Sequence, residues 1–136
     1  MAAVSELIRK ENNGTISFGN HTLDQKAKIE DFDVAGNLYK VKTFKELTKL
    51  ERDGMFVYES EPGTSVTDFE VIPGGLSFTV CGDKDAMITL GLKEDTEYSV
   101  NVGGTDIGKI KTNLGGKLSI SVELEGKGEI NVKVVE

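Results

Sequence analysis

The sequence predicts an all-β protein built as an antiparallel β-sandwich. Short segments that alternate apolar and polar side chains recur along the chain, and 16 glycines but only two prolines separate them, as expected of tight turns. Residues 117–124 show this best, because Leu118, Ile120, Val122 and Leu124 alternate with polar residues. That period indicates strands with one buried and one solvated face, which is typical of antiparallel sandwiches and barrels.

The N-terminal half predicts a hairpin followed by extra strands. Asn12-Asn13-Gly14 lies between the β-prone segments 7–11 and 15–18. Asn-Gly is a preferred type I′ hairpin turn, because both central residues of that turn need a positive φ. Further strands are predicted over 26–34, 38–43 and 55–60, with a turn at 35–37.

Residues 43–53 are the one helix candidate. Thr43 and Glu46 match a capping box, in which each side chain bonds a backbone amide of the first turn, and apolar residues follow at helical spacing. The segment is also rich in helix formers, so the sequence favours a short helix here. The alternative is a β-hairpin with Asp53-Gly54 as its two-residue turn.

The C-terminal half predicts seven more strands. Because the last one ends the chain, it is expected at the edge of a sheet, and uncovered edges favour self-association. We expect one domain over residues 1–136, and a division into 1–63 (hairpins and helix) and 64–136 (sandwich) is the alternative. The seven strands are predicted over 66–71, 76–81, 86–90, 96–102, 107–112, 117–124 and 129–135.

Residues 92–102 contain Leu92, Thr96 and Tyr98 in the spacing L-x-x-x-T-x-Y, followed by alternating valines. This segment resembles the tyrosine corner of fibronectin type III domains and other immunoglobulin-like sandwiches. The resemblance implies an immunoglobulin-like C-terminal half. It also implies that the Tyr98 ring packs beside Leu92 and that its hydroxyl bonds the backbone a few residues upstream.

A second resemblance covers most of the chain. Its segments are 14–20 (GTISFGN), 38–43 (LYKVKT), 58–64 (YESEPGT) and 112–118 (TNLGGKL). They look like a group of small bacterial proteins of unknown function that sometimes carry the label "endosialidase". The resemblance implies a carbohydrate-binding or carbohydrate-processing role as an alternative function. A sugar would need an aromatic platform, for which Tyr39, Phe56 and Tyr58 are the candidates.

Charge and cysteine content exclude several partners. The net charge is −7, and neither half of the chain offers the basic stripe that nucleic acid or an anionic membrane would require. The first ten residues show no apolar segment of a secretory signal, and the single Cys81 cannot form an internal disulfide. The sequence therefore predicts an acidic, cytoplasmic protein with neither nucleic acid nor membrane as a partner.

Two motifs come close to catalytic or nucleotide-binding patterns without completing them. Gly103 to Lys109 fits most of a P-loop, but Ile110 stands where Ser or Thr must hold magnesium, and strand rather than helix is predicted to follow. We therefore expect a hairpin loop there. His21 is the only histidine, and a nucleophile pair with Cys81 is less expected than a small core cysteine at the end of a strand.

Acidic doublets are the remaining candidates for metal chemistry. Neither 30–33 (Glu-Asp-Phe-Asp) nor 83–85 (Asp-Lys-Asp) has the loop spacing of an EF-hand, and solvated turns are the simpler interpretation. No catalytic residue, cofactor or metal site is predicted. The leading hypothesis is a non-catalytic binding or assembly module with a protein partner or a second copy. A small β-fold enzyme that uses carboxylates is a third hypothesis, after the carbohydrate one.

Overall fold

A computed structural model describes residues 3–136, and these form thirteen β-strands. Residues 1 and 2 belong to the segment in which the sequence shows no secretory signal, and they lie outside this range. The strands are β1 Ile8–Lys10, β2 Ile16–Phe18, β3 Ala27–Val34, β4 Asn37–Phe44, β5 Leu47–Arg52, β6 Met55–Glu61, β7 Ser65–Ile72, β8 Gly75–Cys81, β9 Ala86–Gly91, β10 Glu97–Val102, β11 Thr105–Lys111, β12 Lys117–Val122 and β13 Ile130–Val135.

Two antiparallel sheets face each other across one apolar core, which confirms the predicted sandwich. Sheet A has seven strands in the order β1-β2-β7-β8-β13-β10-β11, and sheet B has six in the order β12-β9-β6-β5-β4-β3. Each sheet therefore takes strands from both halves of the chain. The strands predicted from alternation are present, and the side chains of Leu118, Ile120 and Val122 are buried as expected.

The helix predicted over 43–53 is wrong, and the hairpin alternative is confirmed. β5 pairs with both β4 and β6, and Arg52 lies opposite Met55 across a two-residue turn. Asp53 and Gly54 have φ values of 51° and 78°, the left-handed conformation that a type I′ turn requires. Tertiary packing outweighs helix propensity here, because alternate β5 residues enter the core and the others face solvent.

Two local expectations also need correction. β13 is not an edge strand, since it pairs with β8 on one side and β10 on the other. The terminal strands of the described sheets are β1, β11, β12 and β3, so any self-association would have to use those edges instead. The first hairpin is present, but only Gly14 of its Asn-Gly pair has a positive φ, because the β1–β2 loop is longer than a type I′ turn.

Aromatic rings fill the centre of the core. Phe18, Phe69 and Phe78 come from sheet A, and Tyr58 comes from sheet B. The Tyr58 ring meets those of Phe18 and Phe78 edge-to-face, at centroid distances of 5.2 and 5.6 Å. Such contacts add to the burial energy and join the two sheets at one point.

A buried polar network lies beside these rings. The Thr64 hydroxyl is 2.7 Å from both the Tyr58 and the Ser60 hydroxyls. Thr48 donates to the Thr64 carbonyl at 2.7 Å and contacts the Thr43 hydroxyl at 2.8 Å. All five side chains are fully buried, and each hydroxyl has a partner, so the network fixes how β4, β5 and β6 meet the start of β7.

Candidate functional site

A cleft of about 940 Å³ opens at one end of the sandwich, where turns of both sheets meet. We call it the end cleft. Its walls come from the β5–β6 turn, the β7–β8 turn, the segment from the end of β9 to the start of β10, and the start of β12. Clefts of this size, formed by loops on a rigid scaffold, are the usual location of ligand sites.

The mouth of the end cleft is apolar and accessible. Met55 and Val71 line it with 72% and 58% of their surfaces exposed, and they are among the most exposed large apolar side chains of the described residues. Leu76 and Val57 continue the apolar wall inward and are buried. Exposed apolar side chains grouped around a cavity are a common feature of ligand-binding surfaces.

Parts of the end-cleft wall are bare backbone, because glycines line them. Gly54, Gly74, Gly75, Gly91 and Gly115 all line it. At Gly91 a side chain is sterically excluded, because an added Cβ would lie 2.2 Å from the Phe56 carbonyl oxygen. At Gly91 that space is filled by the protein's own backbone, whereas Gly54 and Gly74 have no atom closer than 3.8 Å there, so the backbone of a bound chain can approach the wall at these two positions.

Arg52 is the unusual residue of the site. It continues the row of β5 side chains that faces sheet A, in which Thr48 and Leu50 are fully buried. It pairs across the sheet with Tyr39. It also lies between two spaces, because it lines both the end cleft and an adjoining cavity of about 340 Å³, which we call the side cavity.

The Arg52 guanidinium makes no ion pair or hydrogen bond with any residue in the 3–136 range. The chain has one other arginine, Arg9, and that side chain bonds Glu11 at 2.9 Å and Glu6 at 3.5 Å. A half-buried cation without a partner loses hydration and gains little in return. Its charge is therefore available to a ligand.

The other cations of the end cleft are already engaged. Lys93 bonds Glu136 at 2.9 Å, and this hydrogen bond raises the pKa of the lysine. The Lys117 ammonium lies 4.8 Å from the centre of the Phe56 ring, a cation–π distance. Among the acids, Asp53 accepts the Leu38 amide at 2.8 Å. Within residues 3–136, Arg52 therefore carries the one charge of the cleft that makes no contact.

No family model, curated protein or solved structure matches this chain. The function therefore rests on the geometry of its own residues. Residues 3–136 include no helix of the length and apolarity that crossing a membrane requires. The same residues hold no group of three or more His, Cys, Asp or Glu side chains placed to bind a metal ion.

The structure does not bring Tyr39, Phe56 and Tyr58 together as a sugar platform. Tyr58 is fully buried, and burial raises the pKa of its hydroxyl. Alternation alone would put it on the same face as Phe56, but a bulge in β6 opposite Leu50 and Glu51 turns it into the core. Phe56 lines the end cleft and Tyr39 the side cavity, so the two rings belong to different spaces.

Tyr98 and Leu92 lie on the wall of the end cleft. The Tyr98 ring is buried, and its hydroxyl accepts a hydrogen bond from the Lys93 amide at 3.2 Å, five residues upstream. Leu92 packs against the core from its partly buried position. The hydrogen bond between Lys93 and Tyr98 holds the corner between β9 and β10 in place and so shapes one side of the cleft.

A second polar cluster lies at the opposite end of the sandwich. The Ser65 hydroxyl is 2.6 Å from His21 Nδ1, and His21 Nε2 is 3.5 Å from an Asp83 carboxylate oxygen. Sequence reasoning missed this group, because 44 residues separate Ser65 from His21. The Ser65 side chain is fully buried, and its hydrogen bond to His21 fastens the segment after β2 to β7.

The remaining sequence candidates have structural roles. Gly103 and Gly104 form the two-residue turn of the β10–β11 hairpin, as expected, and Lys109 lies 3.8 Å from Glu97. Asp85 accepts the backbone amides of residues 124 and 125 at 2.9 and 3.1 Å, which makes it part of a turn. Cys81 is buried opposite Ser65 in β7, and burial raises the pKa of its thiol.

Proposed function

We propose that the protein is a non-catalytic binding module that receives an apolar segment of a protein partner in the end cleft. The observation that carries this proposal is the apolar mouth formed by Met55 and Val71 over a cavity of about 940 Å³. Full burial of side chains of this size is worth about 1.5–3 kcal/mol each. Covering the two would supply much of the energy of a weak, specific contact.

The form of the cleft favours a peptide. Bare backbone at Gly54 and Gly74 lets a bound main chain approach, while the apolar wall accepts its side chains. A peptide held in a cleft of about 940 Å³ buries less surface than a standard protein–protein interface. We therefore expect dissociation constants in the micromolar to millimolar range. Such affinity is typical of modules that recognise short segments.

The test uses a random twelve-residue peptide library displayed with free C termini and selected on the immobilised protein. Met55→Glu introduces a charge at the cleft mouth, whereas Met87→Glu introduces the same charge on an exposed methionine of β9 that does not line the cleft. We expect peptides with apolar segments to be enriched, and Met55→Glu to weaken their binding about tenfold or more. Met87→Glu should leave binding unchanged.

Two results would contradict the proposed function. One is the absence of any enriched peptide. The other is equal weakening by Met55→Glu and Met87→Glu, which would place the binding surface elsewhere. Both substitutions exchange an exposed side chain, so both variants should fold, and circular dichroism can verify this.

A further inference from the structure

We propose that Arg52 binds the C-terminal carboxylate of the segment that enters the end cleft. This inference rests on the proposed function and adds the chemistry of the ligand. It identifies the partner as a protein chain that ends in an apolar tail.

Unused hydrogen-bonding capacity is the first argument. The Arg52 guanidinium has no acceptor within residues 3–136, although its side chain is partly buried at the border of two cavities. A planar guanidinium forms two parallel bonds to a carboxylate, which is the ligand that such a fork matches best.

The charge of the cleft is the second argument. The protein carries a net charge of −7, yet the described residues that line the end cleft include the cations Arg52, Lys93 and Lys117 and the acids Asp53 and Glu136. Glu70 lines the side cavity but makes no ion pair with Arg52. The end cleft is thus locally cationic on an acidic molecule, which favours an anionic ligand.

The position of Arg52 favours a chain terminus over an acidic side chain. The residue lies on the core-facing row of β5, so its charge is reached from between the sheets rather than from an outer face. A chain end can enter such a space directly. A continuous chain would have to enter and turn back within the same cleft to bring a carboxylate to the same depth.

The experiment compares three N-acetylated tripeptides by titration into ¹⁵N-labelled protein. They are Leu-Val-Leu with a free carboxylate, Leu-Val-Leu amide, and Leu-Val-Glu amide. A ligand of this size should bind with a dissociation constant of about 1 mM or below, so titration to about 10 mM covers it. We expect the free acid to bind about tenfold or more tightly than either amide, because bonds to a charged group are the stronger ones.

Arg52→Gln should reduce the affinity for the free acid to that of Leu-Val-Leu amide and leave the amide unchanged. Arg52→Lys keeps the charge without the fork and should fall between the two. It also provides a second readout if the Gln variant folds poorly.

The outcomes separate the two proposals. Equal affinity for free acid and Leu-Val-Leu amide would overturn the role of Arg52 and leave the binding module standing. Equal affinity for the free acid and Leu-Val-Glu amide would overturn the commitment to a chain terminus. If none of the three peptides perturbs the spectrum of the protein, the proposed function itself is contradicted.

Discussion

Tyr58→Phe tests the buried polar network that joins the two sheets. The substitution removes one hydroxyl and keeps the ring, so the contacts with Phe18 and Phe78 remain. The lost oxygen lies 2.7 Å from the Thr64 hydroxyl, which keeps its second partner Ser60. The network therefore loses one bond in a fully buried site, without an entirely orphaned group.

The expected cost follows from that geometry. A buried hydrogen bond whose partner stays partly satisfied is worth about 1–2 kcal/mol, between the net value of a typical bond and the full penalty of an unpaired group. Two other tyrosines serve as matched controls. The Tyr39 hydroxyl has no protein partner in the described chain, so Tyr39→Phe should cost under about 0.5 kcal/mol. Tyr98→Phe loses a longer bond to a partly buried amide, for which about 0.5–1 kcal/mol is expected.

Urea unfolding of the three Phe variants under one set of conditions measures the series. With a slope of about 2 kcal/mol per molar urea, Tyr58→Phe should lower the midpoint by about 0.5–1 M, and Tyr39→Phe should leave it nearly unchanged. The order Tyr58, then Tyr98, then Tyr39 is the critical result. If Tyr58→Phe is as harmless as Tyr39→Phe, the network does not contribute to stability as inferred.

Two further predictions concern other parts of the fold. Gly91→Ala should lower the free energy of unfolding by about 1–3 kcal/mol, measured by heat or urea, because the new Cβ would lie 2.2 Å from the Phe56 backbone. The control Gly82→Ala, whose Cβ would have its nearest atom at 3.4 Å, should be nearly neutral. Equal effects of the two substitutions would contradict the packing described. The Ser17 hydroxyl and the Arg9 guanidinium lower the pKa of Glu11 below its ordinary value of 4.5, so its stabilising effect is present above that pH and is lost as the pH falls through the lower folded value. The stability difference between wild type and Glu11→Gln should therefore shrink between about pH 6 and pH 3, and a difference that stays constant would refute this.

Much of the fold could be predicted from the sequence, because its signals are local. Alternation gives the strands, and the turn at Gly103-Gly104 is visible as two adjacent glycines between them. The helix prediction for β5 was wrong because the core-facing residues of β5 include Thr48, whose buried hydroxyl bonds Thr64, sixteen residues later, as well as Thr43 on β4. A helix prediction based on propensity has no access to these partners. The place of β13 inside sheet A is likewise set by pairing with distant strands, which alternation does not encode.

The candidate site was less predictable. The sequence around Arg52 gives no local sign of its proposed role, because its lack of a partner becomes evident only when the sheets are packed. Its neighbour Tyr39 was a candidate, but as part of a sugar platform. The bulge in β6 that buries Tyr58 shifts the strand by one residue and leaves no clear trace in the sequence. A site built where the ends of several strands meet depends on contacts far apart in the chain.

Chemical-shift mapping tests the central claim, that the end cleft is the binding surface, most directly. The ¹⁵N-labelled protein is titrated with N-acetyl Leu-Val-Leu bearing a free carboxylate, and the perturbed backbone amides are placed on the fold. We expect the largest shifts at Met55, Val71 and Gly91, around the cleft, with Arg52 among them. Shifts concentrated instead around His21, at the opposite end of the sandwich, or spread over the whole surface, would contradict the claim.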